Sequence, residues 1–221
     1  MTARVILLTG PSGSGKTSLL RHVGAQRLNL DNFYRDGDEA GMPLLDGTFS
    51  GAQGVDRAQA MSQIDWDNPL AWDSGRALEA ILSLCRTGVT QVPVYSIPDN
   101  ATIDHTTLDI GSTRAFVAEG VFAAELIERC RQAGVLAEAL VLRRPRLCSW
   151  WFRLRRDLAE RRKPLYVLLT RGLRLAQAEP AAVAKWVEQG CRPVSRHECA
   201  ALIAELIGSP ETSTSPGSQR A

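Results

Sequence analysis

The sequence predicts an α/β fold in which a parallel sheet carries helices on both faces. Short apolar runs typical of buried strands alternate with stretches of helical periodicity along the 221 residues. The first run, at 4–9, leads directly into a glycine-rich stretch and then a helical pattern at 15–23. The chain is long enough for one domain with a full core, and its apolar content of 44% is typical of globular proteins.

The later elements continue this alternation of strand and helix. We expect a strand at 27–30, a long polar segment at 35–65, a helix from about 73 to 86, two short strands at 92–95 and 106–110, a buried strand at 115–118, a helix near 122–133, a strand at 139–142, and helices at 165–178, 180–189 and about 195–207. Ser195 and Glu198 form a capping box for the last helix. Residues 1–208 are therefore predicted to form one domain with an excursion at about 88–112, followed by a disordered tail at 209–221.

The glycine-rich stretch Gly10–Thr17 fits the phosphate-loop pattern G-x-x-x-x-G-K-[ST], in the strand–loop–helix context that the motif requires. Backbone N–H groups of such a loop surround phosphates, and the following helix adds partial positive charge. Lys16 is expected to reach the β- and γ-phosphates, and the Thr17 hydroxyl to ligate Mg²⁺. The predicted fold is therefore a P-loop NTPase three-layer sandwich. The residues expected to bind ATP are Gly10, Ser12, Gly13, Ser14, Gly15, Lys16, Thr17 and Ser18.

Two carboxylates stand at the ends of predicted strands. Asp31 follows the second strand, and Glu119 ends the strand at 115–118. Since ligands of a parallel sheet lie at the carboxyl ends of its strands, Thr17, Asp31 and Glu119 are expected to surround Mg²⁺. Asp31 could also orient an acceptor hydroxyl and take its proton. The alternative for both carboxylates is an ordinary turn or cap role.

A strongly basic segment at 143–163 has three interpretations. It could be a solvated helix face, a nucleic-acid-binding helix, or a helical lid, at about 146–163, that closes over phosphates. The phosphate loop favours the lid, and a net charge of only +2 argues against nucleic acid as a partner. The aromatic groups Phe33-Tyr34 and Tyr95 could line an acceptor pocket or simply pack under a loop.

The five cysteines indicate neither disulfides nor a zinc site, because the count is odd and no C-x-x-C spacing occurs. The first strand begins at once, which leaves no room for a signal peptide, and no apolar run approaches a membrane span. A cytoplasmic protein with no membrane partner is therefore expected. Whether the chain forms a homo-oligomer stays open.

Six short motifs, taken in order, resemble the uridine kinase family of P-loop kinases, and the match covers most of residues 4–163. Each motif alone is weak, but six in the same order are specific. The matching segments are Gly10–Thr17, Asp31–Tyr34 for D-x-F-Y, Trp66–Asp73 for F-D-H-P-x-A-F-D, Val92–Tyr95 for V-P-x-Y, Val117–Gly120 for the strand ending in E-G, and Arg156–Arg161 for R-D-x-x-E-R.

The resemblance implies ATP- or GTP-dependent phosphorylation of a nucleoside 5′-hydroxyl. It implies that Asp31 acts as the base beside Mg²⁺, with Thr17 and Glu119 also near the metal. The other implied residues are Lys16, Arg156 and Arg161 in catalysis, and Tyr34, Asp67, Tyr95, Asn100 and Arg153 around the substrate.

Departures from the family pattern leave the acceptor open. The family usually has a pyrimidine-reading His after V-P-x-Y, where this chain offers Asn100 or His105. The acidic strand end before the family's lid is replaced by Arg143–Arg146. Related P-loop kinases phosphorylate pantothenate, phosphoribulose and other small alcohols. A regulatory nucleotide-binding ATPase is the alternative from another class, although the N-K-x-D motif of GTPases is absent.

Overall fold

A five-stranded sheet organises the chain, of which the computed structural model describes residues 3–11, 13–45, 47–48, 61–143 and 180–208. The sheet strands are β1 (Arg4–Thr9), β2 (Arg27–Asn29), β7 (Ala115–Glu119), β8 (Leu136–Leu142) and β9 (Arg192–Val194). They lie in the order β2-β7-β1-β8-β9, and every neighbouring pair is parallel. The prediction of a parallel α/β sheet is confirmed.

Helices cover both faces of this sheet. They are α1 (Lys16–Val23), α2 (Ser74–Thr87), α3 (Ile127–Gln132), α4 (180–188) and α5 (Arg196–Gly208). The alternation of side chains along β1 divides the core in two, because Val5 and Leu7 join the cluster of α2 and α3 while Ile6 and Leu8 join that of α1 and α5. The result is the expected three-layer sandwich.

Local capping explains where two of the helices begin. The Asp73 carboxylate accepts a hydrogen bond from the N–H of Arg76 at 2.9 Å and caps α2. At α5, Glu198 accepts from the Ser195 N–H at 2.7 Å, and the Ser195 hydroxyl accepts from the Glu198 N–H at 3.3 Å. The capping box predicted from the sequence is confirmed.

The middle of the chain forms a separate antiparallel hairpin. Its strands are β5 (Val89–Ser96) and β6 (Ala101–Asp109), in which Val92 pairs with Thr106. The tip is bound to the loop after β2, because Gly37 N–H donates to the Asn100 carbonyl at 2.7 Å and Thr102 N–H to Asp36 Oδ1 at 2.7 Å. The two predicted strands thus pair as a hairpin, and its tip lies against the loop after β2.

Two features were not predicted from the sequence. Within the polar segment at 35–65, the short strands β3 (Pro43–Leu44) and β4 (Gly47–Thr48) pair with each other. The sheet also has a fifth strand, β9, that the sequence did not indicate, because three residues containing a proline give no strand pattern.

Three predicted features lie outside the described residues: the lid at 146–163, the helix at 165–178 and the tail at 209–221.

The cysteines of the described residues, at 85, 130, 191 and 199, are buried free thiols, and Cys148 lies outside those residues. Within the described part of the chain, no helix combines the length and apolarity needed to cross a membrane.

Candidate active site

The loop between β1 and α1 is shaped to hold an anion. Gly15 caps the amino end of α1 with a φ of +92°, a left-handed conformation that other residues rarely adopt. A Cβ at Gly10 would lie 3.0 Å from the Leu142 carbonyl oxygen, so the loop passes close against the end of β8. Lys16 Nζ donates to the carbonyl oxygens of Gly10 at 2.7 Å and Pro11 at 3.4 Å. A positive charge and a helix amino end therefore meet at one point.

Asp31 lies directly after β2, in a 3₁₀ turn held by its neighbours. Asn29 Oδ1 accepts from the Asp31 N–H at 3.2 Å, and the Val121 N–H donates to Asp31 Oδ1 at 3.3 Å. Burial raises the pKa of the Asp31 carboxyl, an effect that the positive charge of Lys16 opposes and the negative charge of Glu119 reinforces. The carboxylate is therefore a stronger base than an exposed aspartate, and it lies near the loop lysine.

The residue after Glu119 must be small because the backbone passes close to Asp31. A Cβ on Gly120 would lie 2.8 Å from Leu30 Cβ and 2.9 Å from Asp31 Oδ1. The Gly120 N–H donates to the Leu8 carbonyl at 3.3 Å, which fixes this backbone beside β1. A glycine follows Glu119 for a steric reason, since any larger residue at position 120 would collide with the Asp31 carboxylate.

Glu119 is buried at the end of β7 and has two partners on one oxygen. Its Oε1 accepts from the Thr17 hydroxyl at 3.0 Å and forms an ion pair with Arg27 Nη2 at 2.7 Å. The two pairs join α1, β7 and β2 at the carboxyl edge of the sheet.

The oxygen atoms of Thr17, Asp31 and Glu119 fit a hard divalent cation. Mg²⁺ in proteins is usually held by one or two carboxylates together with substrate phosphates and water, and this edge offers two carboxylates beside a phosphate loop. Within the described ranges, no three His, Cys, Asp or Glu side chains form a metal site of their own.

Three aromatic side chains stand beyond Asp31. The ring centroids of Tyr34 and Trp66 are 5.7 Å apart, those of Tyr34 and Tyr95 are 5.8 Å apart, and those of Trp66 and Tyr95 are 6.4 Å apart. The Tyr34 hydroxyl donates to the Trp66 carbonyl at 3.2 Å. Burial raises the pKa of Tyr34, and the negative charges of Asp31 and Asp67 add to that effect. Aromatic faces and carboxylates therefore share one pocket.

A single cavity of about 1000 Å³ connects the phosphate loop with this aromatic group. The sequence-predicted residues that line it are Gly10, Gly13, Gly15, Lys16, Thr17, Ser18, Asp31, Tyr34, Asp67, Tyr95, Asn100 and Glu119. Ser14 is buried under the loop, where its N–H donates to the Pro11 carbonyl at 3.0 Å. Ser12, Arg153, Arg156 and Arg161 lie outside the described residues.

Asn100 and His105, the two residues that could correspond to the histidine of the uridine kinase pattern, differ in their position relative to the cavity. Asn100 lines the cavity, with a φ of +49° at the hairpin tip. His105 is exposed on β6, where its Nε2 lies 3.3 Å from the Arg76 guanidinium. Of the two residues, Asn100 is therefore the one that lines the cavity.

Sequence reasoning missed two arginines that line the cavity. Arg27 begins a short strand, and only the strand register brings it near Glu119. Arg196 begins α5, where its Nη1 donates to the Gly15 carbonyl at 3.0 Å and its Nη2 to the Ser18 hydroxyl at 3.4 Å. No local pattern could have indicated either contact, since both depend on pairing between distant segments.

A phosphate loop at the carboxyl edge of a parallel sheet, with a carboxylate on the neighbouring strand end, defines a P-loop protein of the kinase type. The model of the Phosphoribulokinase / Uridine kinase family matches residues 5–169. The chain belongs to this family, as the six motifs predicted.

Two curated relatives match about half of the chain. It is 31% identical over 130 residues to "Uridine kinase" of Saccharomyces cerevisiae, covering 55% of this chain and 23% of that protein. It is 29% identical over 121 residues to "Inorganic pyrophosphatase TTM1" of Arabidopsis thaliana, covering 52% of this chain and 15% of that protein. The chain thus spans less than a quarter of the length of either relative.

A solved structure supports the fold. The chain aligns with a putative fructose transport system kinase from Silicibacter sp. TM1040 with a TM-score of 0.54 and 16% sequence identity. The alignment covers 81% of this chain and 85% of that one. At this identity the likeness shows the fold alone.

Proposed function

We propose that this chain transfers the γ-phosphoryl group of ATP to the hydroxyl of a small alcohol, and that the alcohol is the 5′-hydroxyl of a nucleoside such as uridine or cytidine. The observation that carries the proposal is the position of Asp31. Its carboxylate lies in one cavity with Lys16 of the phosphate loop on one side and the aromatic group of Tyr34, Trp66 and Tyr95 on the other.

The donor side would hold the triphosphate. The loop amides and the amino end of α1 face the cavity and would surround the β- and γ-phosphates. Lys16 would exchange its bonds to the Gly10 and Pro11 carbonyls for bonds to phosphate oxygens, which are stronger because both partners are charged.

The chemical step needs a base at the acceptor oxygen. The hydroxyl oxygen forms a bond to the γ-phosphorus as the bond from that phosphorus to the β,γ-bridging oxygen breaks, and the diphosphate leaves. Asp31 takes the hydroxyl proton, and its raised pKa brings its basicity closer to neutral pH. A divalent cation bound by Thr17, Asp31 and Glu119 would neutralise charge on the phosphates. Arginines of the 153–162 segment are proposed to do the same from a lid.

The acceptor side favours a flat, partly polar molecule. Aromatic walls provide stacking surfaces for a base, and Asp67 can accept hydrogen bonds from ribose hydroxyls. Asn100 offers both a donor and an acceptor to the edge of a base, whereas an aliphatic acceptor such as pantothenate would leave the ring faces unused.

An acceptor screen tests the proposal. Purified protein with ATP and Mg²⁺ is assayed for ADP formation with uridine, cytidine, purine nucleosides, pantothenate, ribulose 5-phosphate and fructose. We expect turnover with a pyrimidine nucleoside, and a KM for it that rises at least about tenfold in Asp67→Asn because ribose contacts weaken. Activity only with a non-nucleoside would overturn the acceptor assignment. ATP hydrolysis that no acceptor accelerates would overturn the kinase assignment in favour of a nucleotide-dependent regulator.

A further inference from the structure

The buried carboxylate of Glu119 already has a cation beside it. Arg27 Nη2 lies 2.7 Å from Glu119 Oε1, where the side chain of Glu119 is 4% exposed and that of Arg27 is 34% exposed. The Thr17 hydroxyl donates to the same oxygen at 3.0 Å. A free divalent cation that approached this oxygen would therefore meet a guanidinium group.

The register of the sheet creates this pair. In the parallel pairing of β2 with β7, Asn29 lies opposite Glu119 and Arg27 lies opposite Val117. Arg27 and Asn29 are two residues apart, so their side chains share one face of the sheet with Glu119. Arg27 reaches along that face to the buried carboxylate.

The guanidinium group is not fully satisfied in this position. Arg27 Nε is buried and has no hydrogen-bond partner among the described residues, which is an unfavourable state for a charged donor. Arg27 and Glu119 both line the cavity that contains the phosphate loop. The side chain therefore has a route toward the space where phosphates would lie, and phosphate suits its forked donors well.

We propose that Arg27 is an internal counter-ion that keeps Glu119 from binding a free divalent cation and releases it when the cation arrives with a nucleotide. The guanidinium then turns to the nucleotide phosphates, and the cation takes its place beside Glu119. A divalent cation replaces the guanidinium group at the carboxylate, so the buried negative charge is compensated in both states. The inference rests on the proposed use of a metal–nucleotide complex, and it does not depend on which alcohol is the acceptor.

Metal binding by the nucleotide-free protein tests this proposal. Mn²⁺ is the probe, and its free concentration is followed by electron paramagnetic resonance. We expect Arg27→Met and Arg27→Gln to bind Mn²⁺ at least about tenfold more tightly than the wild type, because the competing charge is gone. Arg27→Lys keeps the charge and is expected to resemble the wild type. Arg86→Met, at an exposed position on α2, is the matched control.

A measurement on the unchanged protein covers the case in which the neutral variants do not fold. With a non-hydrolysable ATP analogue present, the wild type is expected to bind Mn²⁺ at least about tenfold more tightly than the analogue binds Mn²⁺ without protein. Equal Mn²⁺ affinity in the wild type and the neutral variants overturns the inference, as does tight Mn²⁺ binding by the nucleotide-free wild type. Neither result bears on phosphoryl transfer, which the acceptor screen measures separately.

Discussion

At the scale of single residues, Asp31 shows a conflict between stability and function. Burial raises its pKa above the usual 3.8, so between that value and its pKa in the folded protein the folded state binds more protons than the unfolded state. Stability therefore falls as pH rises through this interval, and above it the full cost of burying the charge is present. Because the charge of Asp31 lowers stability at this position, a chemical role explains the residue better than a folding role does.

Asp31→Asn is expected to make the protein more stable and less active. The amide keeps an oxygen for the Val121 N–H but carries no charge, so the urea midpoint at pH 7 should exceed that of the wild type, with the difference shrinking toward pH 4. Phosphoryl transfer should fall at least about a hundredfold. Asp104→Asn, on the exposed face of β6, is the control and should change neither quantity. A variant less stable than the wild type at pH 7 would contradict this account of the charge.

Gly120→Ala tests how tightly the base is positioned. The added methyl group would lie 2.8 Å from Leu30 Cβ and 2.9 Å from Asp31 Oδ1, so the turn that carries the carboxylate must move. Displacement by a fraction of an ångström is expected to lower kcat about 10- to 100-fold while the KM for ATP changes little. The matched control is Gly208→Ala at the end of α5, where an added Cβ has no atom within 4 Å. Equal kcat values in the two variants would show that Asp31 tolerates the shift.

At the scale of elements, α5 contacts the phosphate loop and the start of α1. Arg196, at its first turn, binds the Gly15 carbonyl and the Ser18 hydroxyl and lines the cavity. The helix also packs on α1 through the core cluster that contains Leu19 and Ile203. The loop is thereby held both by the strand that precedes it and by a helix far along the chain.

Arg196→Met is expected to weaken nucleotide binding more than turnover. Loss of the two contacts loosens the loop and removes a positive charge from the cavity, so the KM for ATP should rise about tenfold with kcat within about twofold. Arg196→Lys should recover part of the affinity because it restores the charge. Arg192→Met, on the exposed side of β9, serves as the control. A drop in kcat alone would place Arg196 in the chemical step instead.

At the scale of the whole molecule, the parts of the site that the sequence could predict are those fixed by local geometry. The phosphate loop needs glycines at set positions, Asp31 follows the short strand β2, and Glu119 ends the apolar strand β7, so both carboxylates lie at the carboxyl edge of a parallel sheet. The Arg27–Glu119 pair could not be predicted, because it depends on the register of β2 against β7, in which Arg27 lies opposite Val117. Arg196 could not be predicted either, since 178 residues separate it from Ser18.

The order of these parts along the chain has a consequence for synthesis. A nascent chain that has emerged only through β8 already contains the phosphate loop, Asp31 and the aromatic pocket. It still lacks β9, so the outer edge of β8 is unpaired. It also lacks Arg196, which donates a hydrogen bond to the Gly15 carbonyl of the phosphate loop. An unpaired strand edge invites association with other chains. The pocket around Asp31 can therefore form early on the ribosome, whereas the phosphate loop gains its last contacts only once α5 has docked.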